Sequence, residues 1–248
     1  MPEAWEITTS DERTENQVVI FIIFCEDEND EPYYFRSFGV ENKVRIHCIS
    51  NQKRARLNLI NTLSYCQNLG LVECINHSLK IKDGVTENIW CVYDRDLESP
   101  DFDKIIEKDD LNFTTAIDTA EKAGLKVAWS NDAFELWVLL HFEVVPANYK
   151  LHRNYIYERL TEILKHYPEI NKKYKRLIDD SMFSYKIHLK QRLAFLLFVL
   201  PILKEKLDFA LENAEKIERK FQGNIPYHDC NPSTKVHHLV NCIIEAQT

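Results

Sequence analysis

The sequence predicts an α/β fold: a mostly parallel sheet covered by helices, followed by an all-helical segment. Three observations predict it. Continuous β-branched and aromatic runs, VVIFIIFC from Val18 and IWCVY from Ile89, have the pattern of strands buried on both faces. Segments of helical spacing separate such runs, and strand–helix alternation is the mark of parallel pairing. Beyond Pro146 only helical spacing remains.

Each element has its own signal. The first strand ends in the acidic turn CEDENDE, and a short helix follows from Glu31, with Pro32 at its start and Gly39 at its stop. VRIHCI at 44–49 is the second strand, and a basic-then-apolar helix spans about 53–69, closed by Gly70. The third strand, 89–93, ends in Asp-Arg-Asp. Residues 112–123 read as a helix stopped by Gly124, LKVAW at 125–129 as a fourth strand, and Ser130-Asn131-Asp132 as a cap for the helix AFELWVLLHF. Helices are predicted over 155–166, 170–180 and 185–221, with Pro168 and Pro201 as break or kink points. Ser233 or Thr234 caps a last helix, KVHHLVNCIIEA. The division is a tail at 1–16, a sheet domain at 17–147 and a helical domain at 148–248.

Charge follows the same division. The 248 residues carry a formal net charge of -8, but 1–145 hold 14 Lys and Arg against 27 Asp and Glu, net -13, leaving +5 for the rest. No apolar run approaches the roughly 20 residues of a membrane-spanning helix, and the acidic N-terminus lacks signal-peptide character. A cytoplasmic protein without membrane contact is expected. The seven cysteines form no CxxC or Cys/His cluster, so neither disulfides nor a zinc site is indicated, and Cys25, Cys48 and Cys91 read as buried thiols.

Ligands of open parallel sheets bind beyond the carboxyl ends of the strands. Glu26 follows the first strand, Asp94 and Asp96 the third, and Ser130 and Asn131 the fourth. Two apart in an extended segment, Asp94 and Asp96 point to one side and can share a hard divalent cation, with Glu26 completing the site or acting as general base. Such a site suits phosphoryl transfer. The plainer reading of any single Asp-x-Asp is a strand-terminating turn.

This layout resembles the Toprim domain of topoisomerases, primases and related nucleases, which places a Glu after its first strand and an Asp-x-Asp after its third. Further blocks resemble the RloB-like family: FCEDENDEPYYFRSF from Phe24, VYDRD from Val92, SNDAFELWVLLHF from Ser130 and NPSTKVHHLV from Asn231. The resemblance implies a nuclease whose Mg2+ or Mn2+ is held by Glu26, Asp94 and Asp96, with Glu135 as a further catalytic residue. It makes Glu31, Arg95, Ser130, Asn131 and His141 site neighbours, although a structural hydrogen bond explains His141 equally well. Where the family shows Glu-Gly-x-x-Glu, this chain has Asp27 after Glu26, and Glu31 matches the second Glu.

Lys53, Arg54 and Arg56, then Lys172, Lys173, Lys175 and Arg176, then Lys186, Lys190 and Arg192 are the expected phosphate-binding residues; the plain alternative is solvated helix faces. An Arg159…His166 spacing like that of HEPN ribonucleases and a restriction-type set around Asp30 and Glu41 are weaker readings. The resemblance also implies RNA, such as tRNA, or DNA as substrate, a role in phage defence, and a companion ATPase, since the chain has no GxxxxGK[ST] of its own. A homodimer is a further expectation. The competing class is a catalytically silent Toprim-fold subunit that binds nucleic acid or the ATPase.

Overall fold

The computed structural model describes residues 18–50, 59–105 and 107–248. Its sheet is built from β1 (Val19–Cys25), β2 (Val44–Ser50), β5 (Asn88–Asp94), β6 (Lys126–Asn131) and β7 (Ser233–Thr234), in the order β2-β1-β5-β6-β7. The first four are parallel, with Val19 opposite Val44, Phe21 opposite Asn88 and Trp90 opposite Lys126, and β7 runs antiparallel to β6. The α/β class is as expected.

Helices cover both faces. One core joins Phe21, Ile23 and Cys25 of β1 to Tyr34 and Phe35 of α1 (Glu31–Arg36), to the five apolar residues Leu136–Leu140 of α4 (Glu135–Leu140) and to the C-terminal helices. The other packs Phe24 and Cys91 against α2 (Leu59–Asn68) and α3 (Glu107–Lys122). Alternation along β1 thus feeds two cores, which is why its sequence is apolar at nearly every position. Cys25 and Cys91 are buried and Cys48 half-buried, all as free thiols.

An antiparallel hairpin, β3 (Val72–Ile75) with β4 (Ser78–Ile81), has no counterpart in the sequence reading. Its two-residue turn sets Asn76 and His77 at φ 49° and 65°. Hairpin turns of this hand ordinarily announce themselves by Asn-Gly or Asp-Gly. Here no glycine marks the place.

Three helix expectations need correction. Ser130 and Asn131 belong to β6, and α4 begins after Phe134 with no side-chain cap. The helices expected over 155–166 and 170–180 are present as α5 (Arg153–Leu164) and α6 (Pro168–Asp179), but instead of one kinked helix over 185–221 there are a π-helical turn (Tyr185–Leu189), α7 (Arg192–Ala194), a second π turn (Phe195–Val199), α8 (Leu200–Glu205) and α9 (Leu207–Glu218). Pro201 lies in the first turn of α8, and the π turn before it takes up the ladder that proline cannot continue. Ser233 and Thr234 form β7, although the Thr234 hydroxyl also accepts the Val236 N–H at 3.2 Å as α10 (Val236–Glu245) begins. Packing is continuous across residue 147, because α10 and α5 share a core with β1. Among the described residues no helix is long and apolar enough to cross a membrane.

Candidate metal centre at the strand ends

Strand β1 has β2 on one side and β5 on the other, so the chain leaves β1 one way and returns on the opposite flank. A crevice opens at such a switch point, beyond the carboxyl ends of the two strands. Glu26 leaves β1 there and Asp94 ends β5. The Asp94 N–H donates to Glu26 Oε2 at 3.2 Å, so the Glu26 carboxylate reaches across to the neighbouring strand.

The acidic turn is held by its own side chains. Glu31 Oε2 accepts the N–H groups of Glu26 at 2.9 Å and Asp27 at 3.3 Å. Asp27 Oδ1 accepts from the N–H groups of Asn29 and Asp30, and Asp30 Oδ1 takes the Glu31 N–H at 3.1 Å, at the start of α1. Carboxylates thereby do the folding work that a glycine does in a permissive turn. From the far side, the Phe134 N–H donates to Asp94 Oδ2 at 2.9 Å, and the buried Glu135 follows at once. Lys190, just past the first π turn, enters this group with Nζ 2.5 Å from Glu135 Oε1, 3.3 Å from Asp27 Oδ2 and 3.8 Å from Asp30 Oδ1.

Burial sets the electrostatics. It pushes the Asp94 carboxyl well above the ordinary carboxylate range, reinforced by the charges of Glu31, Glu26 and Glu135. Asp30 and Glu31 are likewise raised, first by burial; the Lys190 ammonium pulls both the other way without cancelling it. For Lys190 burial disfavours the charge, but Asp30 and Glu135 more than offset this and hold the ammonium protonated. Asp94 Oδ1, Asp30 Oδ2 and Glu135 Oε2 are buried without a hydrogen-bond partner among the described residues. These are hard oxygen donors of the type a magnesium-like cation takes, although among the described residues the strand-end acids are not drawn together into a group of three with ligating spacing.

Other expected residues are placed differently. Extended geometry stops at Asp94; Asp96 has φ 58° and its carboxylate forms an ion pair with Arg153 of α5, so the premise that both aspartates project from one strand does not hold. The buried Arg95 side chain pairs with Asp110 and donates to Asn131 Oδ1 at 3.2 Å and the His228 carbonyl at 2.8 Å. Asn131 also donates to the Tyr227 and His228 carbonyls and accepts from Asn231, while Ser130 shares a 3.0 Å hydrogen bond with Thr234. Arg95, Ser130 and Asn131 thus bind the C-terminal segment to the sheet. The His141 ring meets the Trp137 carbonyl at 2.9 Å through Nδ1 and packs against Tyr34 and Trp137, and burial lowers it to about 4. It is a neutral core histidine.

The basic residues divide. Lys53, Arg54 and Arg56 lie outside the described residues. Lys172, Lys173, Lys175 and Arg176 are exposed on α6. Lys186 and Arg192 are exposed, their cations over the Tyr157 and Tyr33 rings. Lys190 differs from these surface cations: its side chain is only 18% exposed and is committed to carboxylates. Its lone Lys-Gln-Arg context gave no sign of that. Asp132, expected only as part of a helix cap, instead accepts from Leu97 N–H at 2.7 Å through Oδ1 and from Arg153 N–H at 2.9 Å through Oδ2, fixing the turns beside the strand ends. Of the rival nuclease sets, Arg159 is paired with Glu143 at 2.6 Å and His166 is exposed, while Asp30 lies in the cluster described above.

A family model for RloB-like proteins matches residues 21–243. The chain belongs to the RloB-like family. The match takes in the acidic turn, β5, the α4 block and the β7 segment. No curated protein and no solved structure matches the chain.

Proposed function

We propose that this RloB-like protein is a divalent-metal-dependent nuclease, the effector of an anti-phage defence system. The observation that carries the reading is the meeting of Glu26 and Asp94 at the adjoining ends of β1 and β5, with buried carboxylate oxygens standing unpartnered beside them. Glu26 and Asp94 would hold Mg2+ or Mn2+, with Glu135 or Asp30 contributing. When bound, such an ion supplies charge stabilisation for in-line displacement at a phosphodiester. Glu26, at the partly exposed mouth, is the residue suited to move a proton from attacking water. The Phe134 N–H orients Asp94, and Glu31 fixes the turn that carries Glu26. Asp96, tied to Arg153, serves as an outer ligand or positions Arg153 toward phosphate.

The exposed cations of α6, with Lys186 and Arg192, offer the positive surface that a nucleic-acid backbone needs. RNA, tRNA included, and DNA are both consistent with contacts of this kind. A companion ATPase and a homodimeric state belong to the same proposal. One observation favours the silent-subunit reading instead: the Lys190 ammonium already sits where a metal would neutralise the acids. Incubating purified protein with Mg2+ or Mn2+ and separate pools of tRNA, mRNA, single-stranded and duplex DNA decides between them. Cleavage lost in Glu26→Gln and Asp94→Asn supports the nuclease; equal activity in wild type and both variants sinks it.

A further inference from the structure

Away from the strand-end crevice, the end of α9 meets the start of α10. His237 Nε2 lies 2.7 Å from Glu218 Oε2, and His238 Nε2 lies 2.9 Å from the same oxygen and 3.1 Å from Oε1. One ligand atom from each of the three residues falls within 4.8 Å of the others, the group with metal-ligating geometry among the described residues. Lys235 is ion-paired with Glu218 Oε1, and Oε2 is the oxygen nearest to both imidazoles. The three side chains line a cavity of about 470 Å³, with Trp129 and Tyr227 also on its wall.

We propose that Glu218, His237 and His238 form a second metal site, selective for a borderline-soft divalent ion such as Zn2+. Imidazole nitrogens with one carboxylate are the donors such ions prefer, whereas the strand-end site is all oxygen. The spacing is near what is needed. Ligands at ~2.0–2.1 Å from a tetrahedral ion stand ~3.3 Å apart, so the present 2.7–2.9 Å contacts need open by about half an ångström once metal replaces the protons between them. Both histidines ride on one helix, and the backbone is placed by the Lys235 N–H, which donates to the Trp129 carbonyl at 2.8 Å.

Three protein ligands leave a fourth position for water or a ligand in the cavity. Bound metal would also cross-link α9 to α10.

Cobalt(II) reports the site directly, because tetrahedral nitrogen–oxygen coordination gives a strong visible band and octahedral oxygen coordination a weak one. The full chain is titrated with Co2+ in excess Mg2+, then with Zn2+. The expected result is a strong band saturating at about one equivalent, abolished by Zn2+ and lost in His238→Ala and Glu218→Gln. His238 is half-exposed, so His238→Ala is not expected to disturb folding, which circular dichroism verifies. No strong band in wild type, or an undiminished band in a folded His238→Ala, overturns the proposal; Glu218 is then simply a hydrogen-bonded tie between helices. The strand-end reading is untouched by either outcome.

Discussion

Lys190 Nζ lies 2.5 Å from Glu135 Oε1, joining the segment after the first π turn to the helix that follows β6. Glu135 is the acid in an otherwise apolar, fully buried helix, and Lys190 is the charge that makes its burial tolerable. The same ammonium serves Asp27 and Asp30, so one side chain links the acidic turn after β1 to α4 across the mouth of the crevice.

Removing that cation leaves several buried carboxylates uncompensated. Lys190→Met should destabilise the metal-free protein by about 3–5 kcal/mol, and Mg2+ or Mn2+ should restore much of the loss. Urea unfolding with chelator and with metal measures both. An unchanged midpoint in chelator would mean that the cluster does not depend on Lys190.

Asp94→Asn separates stability from function. Its carboxyl is held above the ordinary range by burial and by neighbouring acids, so deleting the charge should stabilise the metal-free fold, seen as a higher urea midpoint in chelator. Cleavage should fall ~100-fold or more, on the scale of removing one strong transition-state contact. Asp96→Asn should cost less activity, since Asp96 is engaged by Arg153. Equal losses in the two variants would restore the pair of aspartates to a single role.

The pH dependence has a defined sign. Asp30, Glu31 and Asp94 titrate higher in the fold than in the unfolded chain, so the folded state binds more protons and stability falls as pH rises through their folded values. In chelator, the melting temperature should therefore decline with rising pH above the ordinary carboxylate range. Saturating Mg2+ should flatten the decline by holding the acids ionised in the fold. Parallel curves with and without metal would contradict the metal centre.

His141 acts in the opposite sense. Neutral in the fold with a pKa of about 4 against 6.5 unfolded, it contributes stability that is lost as pH falls through 6.5 toward 4, roughly 3 kcal/mol in full. His141→Leu should show a shallower acid limb in urea unfolding at pH 7.5, 5.5 and 4. An identical limb would show that the imidazole becomes protonated without cost.

Much of this was legible in the residues. Runs such as VIFIIFC fix both strand and burial, because no amphipathic alternative accommodates them, and strand ends carrying Glu26 and Asp94 locate the crevice once pairing is parallel. The β3–β4 hairpin escaped because Asn76 and His77 adopt positive φ without glycine. β7 escaped because two residues have no period. Lys190 was read by its charge, whereas its role depends on a fold that brings residues 27, 135 and 190 together. Ser130 and Asn131 were misassigned for a related reason: a Ser-Asn pair before an apolar helix looks like a cap, but here the strand simply continues and bonds the returning C-terminal segment.

Manganese binding tests the central claim most directly. Electron paramagnetic resonance of free Mn2+, titrated against wild type and Asp94→Asn in the presence of saturating Zn2+, counts ions taken up by the strand-end crevice. The account predicts a Mn2+ site in wild type, displaced by Mg2+ and lost in Asp94→Asn although that variant is folded and more stable without metal. Identical Mn2+ uptake by the two proteins, or none by wild type, would contradict it.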